Sequence, residues 1–69
     1  MKVGMMLREA RKEKGMKAEE AAELMGVAVP TITRWENGAI DIPSSVLFKY
    51  IQVLGKTLAE FFDAHGGPE

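Results

Sequence analysis

The chain contains no cysteine and one histidine, His65. Without cysteine, neither a disulfide nor a thiolate metal site can brace it. One histidine close to the end of the sequence supplies no metal quartet, no paired His-x-x-x-His and no nucleophile–histidine triad. Its glycines are scattered at the expected ends of helices and never gather into a phosphate-binding loop. Its carboxylates fall on helix faces, where solvation or the helix dipole accounts for them. We therefore expect no enzymatic activity, no metal, no cofactor and no small-molecule ligand. There are only three prolines and no low-complexity run, which argues against wholesale disorder. No apolar stretch is long enough to cross a bilayer. The first residues lack the apolar segment and cleavage site of a secretory signal. A cytoplasmic protein without membrane contact is expected. The sequence shows no internal repeat.

What is present is one domain's worth of chain, 69 residues of which 46% are hydrophobic. The formal net charge is −1, unlike the basic balance of most DNA binders. The charge is unevenly placed. Residues 1–17 hold six basic and two acidic groups, a net +4, and residues 18–69 a net −5. A basic front can steer a molecule onto phosphate. A well-mixed solvated surface is the plainer explanation, and lysines and arginines late in a helix also suit its dipole.

Apolar spacing predicts five helices and no strand. Val3, Met6, Leu7 and Ala10, with the methylene stem of Lys14, mark a first helix over 3–14, capped by Gly15 and followed by Met16 turning inward. Ala21, Ala22 and Met25 share one face of a second helix over 18–25, which Lys17 caps poorly. Gly26 stops it and Val27 fills the corner. Ile32 and Trp35 give a third helix over 29–37 its buried side, with Ala28 a weak cap, Pro30 tolerated in the first turn and Gly38 beyond the end. Ile40 or Ile42 packs inward from the loop at 39–43. Leu47, Tyr50, Ile51 and Leu54 mark a fourth helix from Ser44 or Ser45 to Leu54. Thr57-Leu-Ala-Glu60 is a capping box for a fifth helix that ends near Ala64. Phe61 and Leu58 are assigned to the core. The domain spans 1–64, and 65–69 form a flexible tail.

Helices two and three have the spacing of a helix-turn-helix, whose second helix is offered to a DNA major groove. With Ile32 and Trp35 inside, the outward stripe of helix three is Pro30, Thr33, Arg34 and Asn37, flanked by Val29 and Thr31. Arg34 is its one charge and suits guanine O6 and N7. Thr33 suits a base or a phosphate, and Val29 or Thr31 a thymine methyl. The plainer reading of Arg34 is a solvated arginine, and of Asn37 a residue that satisfies the helix end.

Over about residues 3–62 the sequence resembles the lambda-repressor-like, or Cro-repressor-type, helix-turn-helix domain of bacterial and phage regulators. The resemblance rests on Leu7-Arg8-x-x-Arg11-x-x-x-Gly15-Met16, Glu20-Ala21-Ala22-x-x-Met25-Gly26-Val27, Thr31-Ile32-x-Arg34-Trp35-Glu36-Asn37-Gly38 and Leu54-Gly55-x-Thr57-Leu58-x-Glu60-Phe61-Phe62. It implies an all-α, compact five-helix bundle and a structural ion pair between Arg11 and Glu36. It also implies that Val29, Pro30, Thr33 and Arg34 face bases, while Asn37, Lys17 and Ala18 face phosphates of double-stranded DNA. The sequence departs from the family pattern at Lys17, Ala18, Ala28, Val29 and Pro30, where polar residues are usual. It departs again at Ala39, Ile40 and Asp41, where basic ones are common. Fewer phosphate bonds imply weak binding by one subunit, so a homodimer is expected, with Phe48, Val53 and Phe62 as interface candidates. These three could instead complete the core. The alternative function is a protein-interaction module that keeps the fold and has lost DNA.

Overall fold

A computed structural model of the chain describes residues 3–64. The expected tail at 65–69 lies outside the described residues, as do Met1 and Lys2. Five helices follow in order: α1 (Val3–Glu13), α2 (Ala18–Met25), α3 (Val29–Asn37), α4 (Ser44–Val53) and α5 (Leu58–Ala64). No strand occurs among the described residues. Helix α3 is the hub, packing on both α1 and α2; α4 packs on α2 and carries α5.

Each helix contributes one stripe to a single core. Leu7 of α1, Ile32 of α3, Tyr50 and Ile51 of α4 and Phe61 of α5 are fully enclosed. Ala21 and Ala22 are buried where α2 meets its neighbours. Their small side chains allow two helices joined by a short turn to lie close together. At that turn Gly26 adopts φ 73°, a left-handed conformation. Its N–H donates to the Glu23 carbonyl (3.2 Å) and the Val27 N–H to the Ala22 carbonyl (3.0 Å), which closes the end of α2.

The weak caps expected for α2 and α3 are present as such: neither Lys17 nor Ala28 makes a side-chain cap bond. An ammonium has no lone pair to offer a backbone N–H. The α2 end is rescued from the other side, because Glu20 Oε1 accepts from the Lys17 N–H at 3.0 Å. At α5 the box is reciprocal, with Thr57 N–H donating to Glu60 Oε1 (2.9 Å) and Glu60 N–H to Thr57 Oγ1 (3.1 Å). These bonds from Thr57 hold the Glu60 carboxyl below its usual range.

Three local expectations are corrected, and one left open between Ile40 and Ile42 is decided. Helix α1 ends at Glu13, and Lys14 is exposed in the turn that follows, so its stem is no part of the core. Helix α4 ends at Val53, with Leu54 buried just beyond it. Ile42 packs on the core while Ile40 is 44% exposed. Leu58, assigned to the core, is 42% exposed; as the first residue of α5 it lies outside the stripe that Phe61 defines.

Candidate nucleic-acid interface

Helix α3 is held from beneath by a buried polar cluster. The Arg11 Nε donates to Glu36 Oε2 (2.8 Å) and Nη2 to Oε1 (2.9 Å), a two-point grip between α1 and the end of α3. Arg11 Nη1 donates to the Met16 carbonyl at 2.9 Å, tying down the turn after α1. The Tyr50 hydroxyl donates to Glu36 Oε2 at 2.5 Å, so α4 joins the same carboxylate. The bond to Glu36 raises the Arg11 guanidinium above its ordinary value, despite the opposing effect of burial. Burial is the main cause that pushes the Tyr50 hydroxyl up, and its bond to Glu36 adds to it.

A phenol whose folded value lies above its unfolded one keeps its proton in the native state after the unfolded chain has lost it. Its contribution is therefore whole below about pH 10 and is lost as pH rises through the folded value. Denaturant midpoints of the protein should fall more steeply above about pH 10 than those of Tyr50→Phe, which has no such proton to lose. Parallel declines would contradict this role.

A second close contact fixes α1 against α3. Gly4 is buried, and a Cβ there would lie 2.4 Å from the Trp35 carbonyl oxygen and 2.7 Å from that of Glu36. Neither Gly4 nor the Tyr50 hydroxyl was legible as a partner of α3. Gly4 carries no side-chain pattern, and Tyr50 falls in an ordinary core stripe.

Anchored in this way, α3 turns Ile32, Trp35 and Glu36 inward and leaves Pro30, Thr33, Arg34 and Asn37 exposed. Val29 is also exposed, and Thr31 is half-buried on the flank. Lys17 is exposed at the start of α2, whereas Ala18 is half-buried against the core. Two side chains on the stripe are already oriented. Thr33 Oγ1 leans on the Val29 carbonyl at 3.4 Å, a long bond within the helix. Asn37 Oδ1 accepts from the Ala39 N–H at 2.9 Å, so its amide NH2 is the part free to donate outward. Beside this stripe an open groove of about 550 Å³ runs between α1 and α3, lined by Met5, Arg8, Arg11, Thr33, Glu36 and Asn37.

The three proposed interface residues do not form one buried cluster. Phe48 is 48% exposed, whereas Val53 and Phe62 are half-buried against the core, with Phe62 edge-on to Phe61. Phe48 instead shares a groove of about 380 Å³ with the exposed Leu58 and with Ile51, Gln52, Lys56 and Thr57. Among the described residues no helix is long and apolar enough to cross a membrane, and no group of side chains is placed to hold a metal ion.

A two-helix unit joined by a left-handed glycine, with the second helix presenting an exposed ridge, defines a helix-turn-helix domain. The family model described as Helix-turn-helix matches residues 7–61, and the chain belongs to that family in its lambda-repressor-like form. This makes it a DNA-binding domain of the transcription-regulator class. Among solved structures it is similar to the clp gene regulator ClgR from C. glutamicum. The two share 29% identity and a TM-score of 0.80, over 86% of this chain and 76% of that one. Comparison with curated protein sequences gives no match.

Proposed function

We propose that the chain is a sequence-specific regulator of the Cro-repressor type that inserts α3 into the major groove and acts as a homodimer. The observation that carries this reading is the free ridge Pro30–Thr33–Arg34–Asn37, anchored from below by Arg11, Glu36 and Tyr50. A ridge held by three helices can meet base edges without being reordered on binding, which limits the entropic cost. Arg34 reads a guanine through O6 and N7. Val29 and the flank of Thr31 pack on thymine methyls. Pro30 and Thr33 complete the base-facing surface, while Asn37, Lys17 and Ala18 meet the backbone.

Arg34→Ala should weaken binding by ~1–3 kcal/mol and relax the preference at one base position. Titration of both proteins against duplexes selected from a random pool checks this. An equal loss on every duplex would assign Arg34 to phosphate rather than to a base.

Dimerisation is supported by the half-exposed Phe48 and by Leu58 on the rim of the same groove, on helices α4 and α5, away from the α3 ridge. A two-fold pair built there leaves both ridges free to meet successive turns of the duplex. Sedimentation checks it: the unmodified protein should have the mass of two chains and Phe48→Asp that of one, and a mass of one chain for the unmodified protein would contradict the dimer.

A further inference from the structure

The dipeptide Asn37-Gly38 ends α3, and it carries a chemistry of its own. We propose that it is a self-modification site: the Gly38 backbone nitrogen attacks the Asn37 side-chain carbonyl, and the amide on the α3 ridge becomes a carboxylate. The modification itself needs no partner. Its consequence, weaker binding to duplex, rests on α3 facing DNA.

Asn37 is the one asparagine of the chain, and residues 37–41 are all exposed, so water reaches the site. The electrophile is already polarised. Asn37 Oδ1 accepts from the Ala39 N–H at 2.9 Å, a donor placed to hold the oxyanion that forms when the carbonyl carbon is attacked. Gly38 has no Cβ to crowd the approach to its nitrogen. In the closed turn that N–H is directed at the Arg34 carbonyl, so the helix end must open first. It is loosely held. The same carbonyl also receives the Ala39 N–H (3.0 Å) and the Ile40 N–H (3.5 Å), three donors for two lone pairs. Opening this turn costs less than breaking a bond inside the helix. It lets the Asn37 backbone swing the Gly38 nitrogen onto its own side chain.

In the step, the Gly38 nitrogen gives its proton to solvent base and bonds to Asn37 Cγ. The bond from Cγ to Nδ2 breaks, and ammonia leaves with a proton from water. Water then opens the cyclic imide at either carbonyl, giving aspartate or isoaspartate. One water is taken up for each ammonia released, and nothing is oxidised or reduced. Ammonia escapes, so the change runs one way. Either product puts a negative charge at the carbonyl end of α3, where the helix dipole is already negative. On the ridge an anion replaces the outward amide donor, one turn from Thr33 and Arg34. Phosphate is repelled there.

The test keeps the folded protein in mildly alkaline buffer at physiological temperature and follows it by isoelectric focusing and by the mass of its tryptic peptides. An acidic form that maps to the peptide beginning at Trp35 reports Asn37 alone. Isoaspartate is expected in that peptide, because ring opening of the imide produces it and direct hydrolysis of the amide does not. Asn37→Gln keeps an amide but must close a larger ring, and should stay unconverted over the same time. No isoaspartate in the folded protein, while the urea-unfolded chain converts, overturns the proposal: the closed helix end then protects the amide. The separated acidic form and Asn37→Asp should each bind a fluorescent mixed-sequence duplex about tenfold more weakly than the unconverted protein, the loss expected for a hydrogen bond to a charged group. Equal binding by converted and unconverted protein overturns the switch and leaves the DNA-binding reading intact. If neither binds duplex at low salt, that reading fails and takes the consequence with it, while isoaspartate still reports the modification.

Discussion

Arg11→Met should lose most of the folded population. Arg11 is 9% exposed and Glu36 5%, so the pair is held out of water. Removing the cation leaves a buried carboxylate whose other partner is the single Tyr50 hydroxyl. Breaking a buried pair from one side costs about 3–5 kcal/mol. A 69-residue domain has a total stability of roughly 3–10 kcal/mol at ordinary values per residue. The loss is therefore comparable with the whole. The substitution also frees the Met16 carbonyl and unties α1 from the end of α3. Urea unfolding followed by Trp35, the one tryptophan and 8% exposed, reads the change directly. The double variant Arg11→Met with Glu36→Gln should recover much of the loss, because it removes both the orphaned charge and its partner. A single variant within about 0.5 kcal/mol of the parent, the range of ordinary surface changes, would show that the pair is solvated after all.

Gly4→Ala should destabilise the domain, against what helix propensity alone predicts. Alanine within a helix gains about 0.5–1 kcal/mol over glycine. At Gly4, however, the added methyl meets the carbonyl oxygens of Trp35 and Glu36 at 2.4 and 2.7 Å. Both are backbone atoms, so no rotamer change relieves the clash. The start of α1 must lift from α3, and the overpacking costs about 1–3 kcal/mol or more. The displacement also strains the Arg11–Glu36 grip two turns along the same helix. Midpoints from the same urea titration decide the sign: a lower midpoint supports the close approach, and a higher one means that propensity wins.

These two residues also show how far the sequence could be read. The five helices and the helix-turn-helix were legible because the signals are local and periodic. Met6, Leu7 and Ala10, and again Tyr50, Ile51 and Leu54, recur at helical intervals, and Gly15, Gly26 and Gly38 stand where chains must turn left-handed. Thr57 and Glu60 announce the start of α5 by their spacing alone. What was not legible depends on two elements meeting in space. Gly4 acquires meaning only from the carbonyls of α3 that lie against it. The hydroxyl of Tyr50 is invisible in a stripe that any aromatic would satisfy. Leu58 was misassigned because it sits at a helix start, where one turn does not yet define an inner side. On the candidate interface, the outward positions of α3 followed from the 3.6-residue period once Ile32 and Trp35 were placed inside.

The surface of α3 explains how a chain of net charge −1 can serve a DNA-binding fold. Arg8, Arg11, Lys12, Lys14 and Lys17 lie in and after α1, on the element that flanks the ridge, and acidic Glu19, Glu20 and Glu23 lie along α2. Attraction to phosphate then comes from one side of the molecule and not from its net charge. Binding of this kind should be weak for one subunit and strongly dependent on salt.

The most direct test of the central claim replaces single guanines with 7-deazaguanine in a duplex selected by the protein. That change removes N7, an acceptor displayed only in the major groove, and leaves base pairing intact. With α3 in the groove and Arg34 on a guanine, one position per half-site should lose affinity for the unmodified protein and lose none for Arg34→Ala. No sensitive position in any duplex, or equal sensitivity in both proteins, would contradict the account.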